Sequence, residues 1–180
     1  DSAGAVAVFK KSLTVDPGCA IAHFNLGAVL HSQGDSPGAI TAYKRAMAID
    51  PKFGEAHWRF GNVLFEQGDS EGAVATYKKA IAIDPNVADS HCDCGDALLE
   101  QGNSADAVVA YKRAIAIDPS CLQAHGGLGD ALHRLGDSAG ALAAFDAAIS
   151  IDPNNAMVHC NIGALLDSQG DSAGAVAKFN

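Results

Sequence analysis

A histidine returns five times at one position of the sequence, as His23, His57, His91, His125 and His159, always 34 residues apart. Imidazoles placed so regularly could form a ladder of metal ligands or a pH-sensitive seam, because histidine is the side chain that titrates nearest neutrality. Distance argues against a shared metal: packed helices sit roughly 8–10 Å apart, whereas zinc draws its donors to ~2 Å from one centre. The tetrad His91-Cys92-Asp93-Cys94 also has ligand chemistry. Successive helical residues are rotated by about 100°, however, so these four cannot converge on one ion. The sequence contains no His-Glu-x-x-His, no glycine-rich phosphate loop after a strand, and no serine or cysteine nucleophile beside a credible base. The reading is a non-catalytic chain with no metal and no cofactor.

The elements that must carry these columns are suggested by composition. The chain has 180 residues, 48% hydrophobic but 6% aromatic, with 19 glycines. Alanine supplies much of the hydrophobic fraction, so a core has to come from close approach of elements, which favours packed helices. With 21 Asp+Glu against 12 Lys+Arg and a net charge of −9, the chain is a poor partner for nucleic acid, which is held by clustered cations. No apolar run reaches the ~18 residues that a membrane-spanning helix needs, so no membrane partner is expected. The five cysteines (Cys19, Cys92, Cys94, Cys121, Cys160) are odd in number and lack a paired spacing. That favours a reducing, cytoplasmic compartment, with an extracellular filament as the open alternative.

The period organises the whole chain. Asp-Pro recurs at Asp16-Pro17, Asp50-Pro51, Asp84-Pro85, Asp118-Pro119 and Asp152-Pro153. Glycine follows in three columns: Gly27, Gly61, Gly95, Gly129, Gly163; Gly34, Gly68, Gly102, Gly136, Gly170; and Gly4, Gly38, Gly72, Gly140, Gly174, the last interrupted by Asp106. A fixed period in this range is the signature of a solenoid. Each unit reads as two helices. Ala22, Leu26, Val29 and Leu30 return at helical spacing up to Gly34, a left-handed stop. Ser36 is the expected N-cap and Pro37 suits the next helix start. Ala39, Tyr43, Ala46 and Met47 then line one face of a second helix, which Asp50-Pro51 closes.

These residues resemble a tetratricopeptide repeat. The match is carried by Leu26-Gly27-x-x-Leu30, Ala39-x-x-x-Tyr43, Ala46 and Pro51, and recurs through Phe60-Gly61, Ala73, Tyr77, Ala80, Pro85; Cys94-Gly95, Ala107, Tyr111, Ala114, Pro119; and Leu128-Gly129, Ala141, Phe145, Ala148, Pro153. The phrasing is similar to repeats beside protein O-glycosyltransferases and in bacterial scaffold proteins. The resemblance implies an all-α fold, a right-handed α-solenoid of antiparallel helix pairs. It divides the chain into half a repeat (1–19), four full repeats (20–53, 54–87, 88–121, 122–155) and a partial one (156–180). The family usually holds the histidine column with a large aromatic, so these imidazoles are expected to fill space on the stripe facing the partner helix.

The family's first helices line a concave groove that takes peptides, so the equivalent faces become the candidate site. They carry Phe24, Asn25 and His31; then Glu55, Trp58, Arg59, Asn62, Phe65 and Glu66; then Asp89, Asp93, Asp96 and Leu99; then Asp130. Phe24, Trp58 and Phe65 are expected to be exposed anchors, in a groove that turns acidic further on, answered only by Arg59 and Arg134. A protein or peptide segment with apolar anchors and basic residues would suit it. The lysine-containing clamp by which family members hold a chaperone's C-terminal carboxylate has no matching lysines here. The asparagine ladder of the glycosyltransferase repeats survives at Asn25 and Asn161 but is broken at Arg59, Asp93 and Gly127.

Second helices carry basic pairs outward, among them Lys44-Arg45 and Lys78-Lys79, beside small residues such as Gly38, Thr41, Ala42 and Gly140, Ala143, Ala144. Glycine costs about 1 kcal/mol against alanine in a helix, and close approach of another chain is one reason to keep it. Residues 1–7 recur as 171–177, as expected of an excerpt from a longer array. The leading expectation is an interaction scaffold that binds an extended basic and apolar peptide. Two alternatives stand beside it: repeats that self-associate through array ends or Gly/Ala-rich outer faces into a filament, and the recognition arm of a larger enzyme such as a glycosyltransferase. Gly126-Gly127 is the expected soft spot of its helix.

Overall fold

The structure is a computed structural model and describes residues 2–168. The closing copy of the opening heptad, 171–177, and the glycines at 170 and 174 lie outside the described residues. Ten α-helices and no strands are present among the described residues. They fall into two compact units, and the chain divides between Asn86 and Val87. The first unit holds α1 (Ser2–Val15), α2 (Ala20–Ser32), α3 (Ser36–Ile49), α4 (Gly54–Glu66) and α5 (Ser70–Ile83). The second holds α6 (Ala88–Glu100), α7 (Ser104–Ile117), α8 (Leu122–Arg134), α9 (Ser138–Ile151) and α10 (Ala156–Ser168). Within each unit consecutive helices pack on one another, joined by turns of three or four residues that make them antiparallel hairpins. This is the α-solenoid of helix pairs that the sequence predicts.

Each first helix stops at a glycine in the left-handed region: Gly34, Gly68, Gly102 and Gly136 have φ between 76° and 81°. Asp35 N–H reaches back to Leu30 O at 2.9 Å, the Schellman closure that satisfies a carbonyl at the helix end. The next helix is capped by the residue before the expected serine. The Asp35 carboxylate accepts from Gly38 N–H at 3.0 Å, and Asp69, Asn103 and Asp137 do the same in their repeats. Ser36 is thus the first helical residue, because the longer aspartate side chain reaches the third amide of the helix.

The cap also accounts for the unusual glycines on the outer face. A Cβ at Gly38, Gly72 or Gly140 would fall inside the van der Waals shell of the capping carboxylate. In the repeat where Asp106 replaces glycine the cap is Asn103, whose amide donates to the Asp106 carboxylate at 2.7 Å. These glycines are explained within the repeat, with no second chain required.

The Asp-Pro turns close in the same local way. Asp50 is extended (φ −124°, ψ 94°) ahead of its proline, and its carboxylate accepts from Lys52 N–H at 2.9 Å. The histidine column locks this turn to the helix that follows. His23, His57, His125 and His159 hold the carbonyls of Pro17, Pro51, Pro119 and Pro153 at 3.0, 3.2, 3.0 and 2.8 Å. These rings are half-buried and clamp the turns, while His23 and His57 also lie beside partner-helix residues, Ala48 and Ile49 of α3 and Ala82 and Ile83 of α5 respectively, and His91 is buried. A carbonyl only accepts, so Nε2 carries the proton.

The core is built on rings lying against glycines. Tyr43, Tyr77, Tyr111 and Phe145 are almost completely buried. A Cβ at Gly27, Gly61 or Gly95 would approach the ring of Tyr43, Tyr77 or Tyr111 to 2.6–2.8 Å, and one at Gly129 would meet Phe145 closer still. Alanines flank the rings: Ala39, Ala46, Ala73, Ala107, Ala114, Ala141 and Ala148 are at most 3% exposed with Ala80. Small side chains let the helices approach, and the rings fill the space between.

α8 runs unbroken through Gly126 and Gly127, and the two glycines have different surroundings. A Cβ at Gly127 would collide with the Tyr111 ring, whereas one at Gly126 meets nothing within 4 Å. Gly126→Ala is therefore expected to raise stability by about 1 kcal/mol through helix propensity. Gly127→Ala should lower it by about 1–3 kcal/mol through overpacking. Urea unfolding of the two variants measures both, and equal effects would contradict this placement of the ring.

Candidate functional site

The inner faces belong to α2 and α4 in the first unit and to α6, α8 and α10 in the second. In the first unit, Phe24 departs from expectation. It is only 9% exposed, with its ring centroid 5.9 Å from that of Tyr43 and 4.8 Å from that of Phe53. Its position faces the turn ahead of the next helix, where the large side chain of Phe53 covers it, so Phe24 is part of the core and no exposed anchor. Trp58 and Phe65 are half-buried on α4, and Arg59 lies over the Trp58 ring at 4.5 Å, a cation–π contact.

Several polar residues of this face are engaged with one another. His31 Nε2 meets Glu66 Oε2 at 2.7 Å, tying α2 to α4. Asn62 Oδ1 accepts from the Tyr77 hydroxyl at 2.8 Å. Asn25 is half-buried, and Glu55 is exposed at the start of α4. Fifteen residues before Tyr43 stands Ala28 in place of a polar group, and the buried Tyr43 hydroxyl has no hydrogen-bond partner. Burial pushes Tyr43 up to about 12, opposed by the Arg59 charge and reinforced by Glu55 and Glu66.

In the second unit the inner face encloses a cavity of about 330 Å³. Leu99, Leu122, Met157 and Val158 form its apolar walls, and Asp96, Gln123, Asp130, Asn155 and Asn161 its polar ones. The two adjacent glycines, Gly126 and Gly127, also line it, so the absence of side chains there keeps the space open. Three of the expected residues, Asp96, Leu99 and Asp130, meet at this cavity. Asp93 sits beside it, accepting from Gln123 at 3.3 Å, while Asp89 is exposed at the first turn of α6 and lines no part of it.

The acidic residues here have more partners than the two arginines. Asp96 accepts from the Tyr111 hydroxyl at 2.5 Å and from Gln123 Nε2 at 2.7 Å. Asp130 accepts from Asn161 Nδ2 at 2.9 Å. Arg134 donates instead to the Leu99 carbonyl at 3.1 Å, covering the end of α6. Burial raises the pKa of Asp96, against the lowering effect of the Tyr111 and Gln123 hydrogen bonds. Burial also raises Asp130, against the Arg134 and His133 charges. Both carboxylates therefore carry a desolvation cost that their neighbours only partly offset.

Tyr111, Leu122, Asn155, Met157 and Val158 are cavity residues that the sequence does not single out as a site. Tyr111 reads as core because it sits on a second helix, yet its ring passes beside Gly95 and Gly127 to bring the hydroxyl to the inner face. The offset of 15 residues between each tyrosine and a polar or small residue of the first helix is the signal that locates it.

Among the described residues no group of three or more His, Cys, Asp or Glu could hold a metal ion, and no helix is long and apolar enough to cross a membrane. Comparison with known proteins gives a consistent result. Profiles described as tetratricopeptide repeat match residues 93–156 and 144–177, and one described as TPR repeat matches residues 29–68 and 61–102. No curated protein sequence is significantly similar. Among solved structures, that of MamA protein is 27% identical with a TM-score of 0.83, over 89% of this chain and 87% of that one. YrrB, described as a TPR protein with an unusual peptide-binding site, is 22% identical with a TM-score of 0.82, over 94% of this chain and 88% of that one. PilW, described as a widely conserved type IV pilus biogenesis factor, is 20% identical with a TM-score of 0.85, over 99% and 83%. The last two likenesses show the fold.

The raised pKa of Asp96 makes stability depend on pH. A carboxyl whose pKa rises on folding contributes fully below its ordinary value, 3.8, and loses that contribution as pH rises through the folded value. Asp96→Asn removes the buried charge and keeps an acceptor for Tyr111, as Asn62 does for Tyr77. It should raise the thermal midpoint at neutral pH, with the gap over the parent closing as pH falls towards 3.8. Melting curves across that range check this, and a gap that widens in acid would refute it.

Proposed function

This chain belongs to the tetratricopeptide-repeat family, and from that premise we propose that it is a non-catalytic scaffold that binds an extended, basic and apolar peptide segment of a partner protein on its inner helix faces. The observation that carries the reading is the cavity between α6, α8 and α10. Its apolar walls suit an aliphatic stem, and two desolvated carboxylates, Asp96 and Asp130, stand in its lining. An ionised carboxylate can accept about four hydrogen bonds, and the contacts described above use two at Asp96 and one at Asp130. A lysine or arginine side chain fits both requirements, since its methylenes can lie on Leu99, Leu122 and Val158 while its charge meets the two aspartates. Gly126 supports the same reading, because it keeps the entrance free of side chains at the cost of helix propensity.

In the first unit, Trp58 and Phe65 supply apolar area and Glu55 supplies charge, so the same ligand chemistry suits that face. Each face, taken by itself, offers such a segment apolar area and negative charge.

A labelled decapeptide alternating leucine and arginine, compared with its leucine–glutamine counterpart by fluorescence anisotropy, tests the proposal. The arginine peptide should bind about tenfold more tightly, as expected for a hydrogen bond to a charged group of ~1.5 kcal/mol. Asp96→Asn should remove most of that preference, and Gly126→Leu, which fills the cavity without changing charge, should weaken both peptides. Equal affinities of the two peptides for the parent protein would sink the proposal. Trp58 is the chain's single tryptophan, so its emission reports arrival at the first unit, and Trp58→Ala with Phe65→Ala should weaken binding there.

A further inference from the structure

All five cysteines are free thiols, and an odd count without a paired spacing gives no reason to pair any two. The fold pairs two of them. Cys92 on α6 and Cys121, the N-cap of α8, have their sulfurs 3.3 Å apart, with either able to donate to the other. They are 29 residues apart, and the same offset in the first unit joins Phe24 to Phe53, whose rings are in contact. Repeat geometry therefore makes these two columns face each other: a first-helix residue meets the N-cap of the next first helix. In the second unit that facing position holds two thiols where the first unit holds two rings.

The two sulfurs differ in access. Cys92 is fully buried, whereas Cys121 is partly exposed at the helix start. Burial, then the neighbouring Cys121, Asp96 and Asp93, hold the Cys92 thiol in its neutral form. An incoming reagent therefore meets Cys121 first, and Cys92 is placed to act second.

We propose that Cys92 and Cys121 form a thiol–disulfide exchange site for a low-molecular-weight disulfide such as glutathione disulfide. Cys121 gives up its proton to solvent base, and its thiolate attacks one sulfur of the reagent, forming a mixed disulfide and releasing one glutathione thiolate, which takes up a proton from solvent. Cys92 then gives up its proton to solvent base, and its sulfur attacks Cys121 Sγ, releasing the second glutathione thiolate. Two protein thiols and one disulfide become one protein disulfide and two glutathione thiols, and no other oxidant is consumed. The bond joins α6 to the start of α8, next to Leu122 and Gln123 on the cavity wall. It rests on the placement of the two sulfurs and is independent of what the cavity binds.

The test incubates the full chain with glutathione disulfide, then maps its bonds by non-reducing digestion and mass spectrometry. The expected product is monomeric, carries a Cys92–Cys121 cross-link, reverts with excess glutathione, and melts about 5–10 °C higher than the reduced protein. Cys92→Ser should stop at a stable glutathione adduct on Cys121, and Cys121→Ser should leave residue 92 unmodified in the folded protein. The proposal is overturned if the parent protein accumulates a Cys121 adduct without the cross-link, or if cross-links form only between chains. The parent map decides the matter even if a serine variant fails to fold.

Discussion

Tyr43 lies on Gly27, Tyr77 on Gly61, Tyr111 on Gly95 and Phe145 on Gly129, and the rest of the repeat depends on that contact. A side chain on any of these glycines would have to occupy the volume of the ring. The ring in turn holds the two helices of a repeat at the distance where alanines at the neighbouring positions make close contacts. Few bulky residues are needed, which is why an aromatic content of 6% suffices. Because each ring is flat and its glycine offers no obstruction, the tyrosine hydroxyl can extend past the first helix to its far side. A packing contact thereby delivers a polar group to the inner face.

Turn chemistry sets the register in which these contacts repeat. Glycine in the left-handed region ends one helix, an aspartate or asparagine starts the next, and a second aspartate closes the turn ahead of proline with the histidine holding it from above. These columns absorb a large part of the negative charge of the chain. Asp16, Asp35, Asp50, Asp69, Asp84, Asp118, Asp137 and Asp152 accept backbone N–H groups at local turns and caps. The net charge of −9 thus describes how the chain turns more than what it attracts, and Asp96 and Asp130 are distinguished by their burial beside a cavity.

The fold was legible in the sequence because every element is fixed by residues within one period, and the period is written five times. The site was legible in part. Asp96, Leu99 and Asp130 come from helical phase alone, since residues on one side of a first helix share a surface. Phe24 was misplaced because its exposure depends on Phe53, the N-cap of the next first helix, whose column holds Cys19, Phe53, Val87, Cys121 and Asn155 and so has no fixed character. The cysteine pair was hidden for the same reason: contacts between successive first helices follow offsets such as 29 or 35 residues, which no single helix pair displays. The cap was misassigned by one residue because serine and aspartate both cap well, and side-chain reach decided between them.

The tyrosine hydroxyls have a consequence for how such a chain can diverge. Asn62 accepts from Tyr77 and Asp96 from Tyr111, each 15 positions before its tyrosine; the equivalent position for Tyr43 is Ala28, which has no side-chain acceptor, and Phe145 brings no hydroxyl to Asp130. Asparagine and aspartate accept the same hydrogen bond in the same volume, so exchanging them changes the sign of the inner surface and leaves the buried ring where it was. The ring contact therefore survives a change of charge at this position, although a buried carboxylate there carries the desolvation cost described for Asp96. An ancestral array could be readdressed one repeat at a time, each step a single amide-to-acid replacement, without passing through an unfolded intermediate.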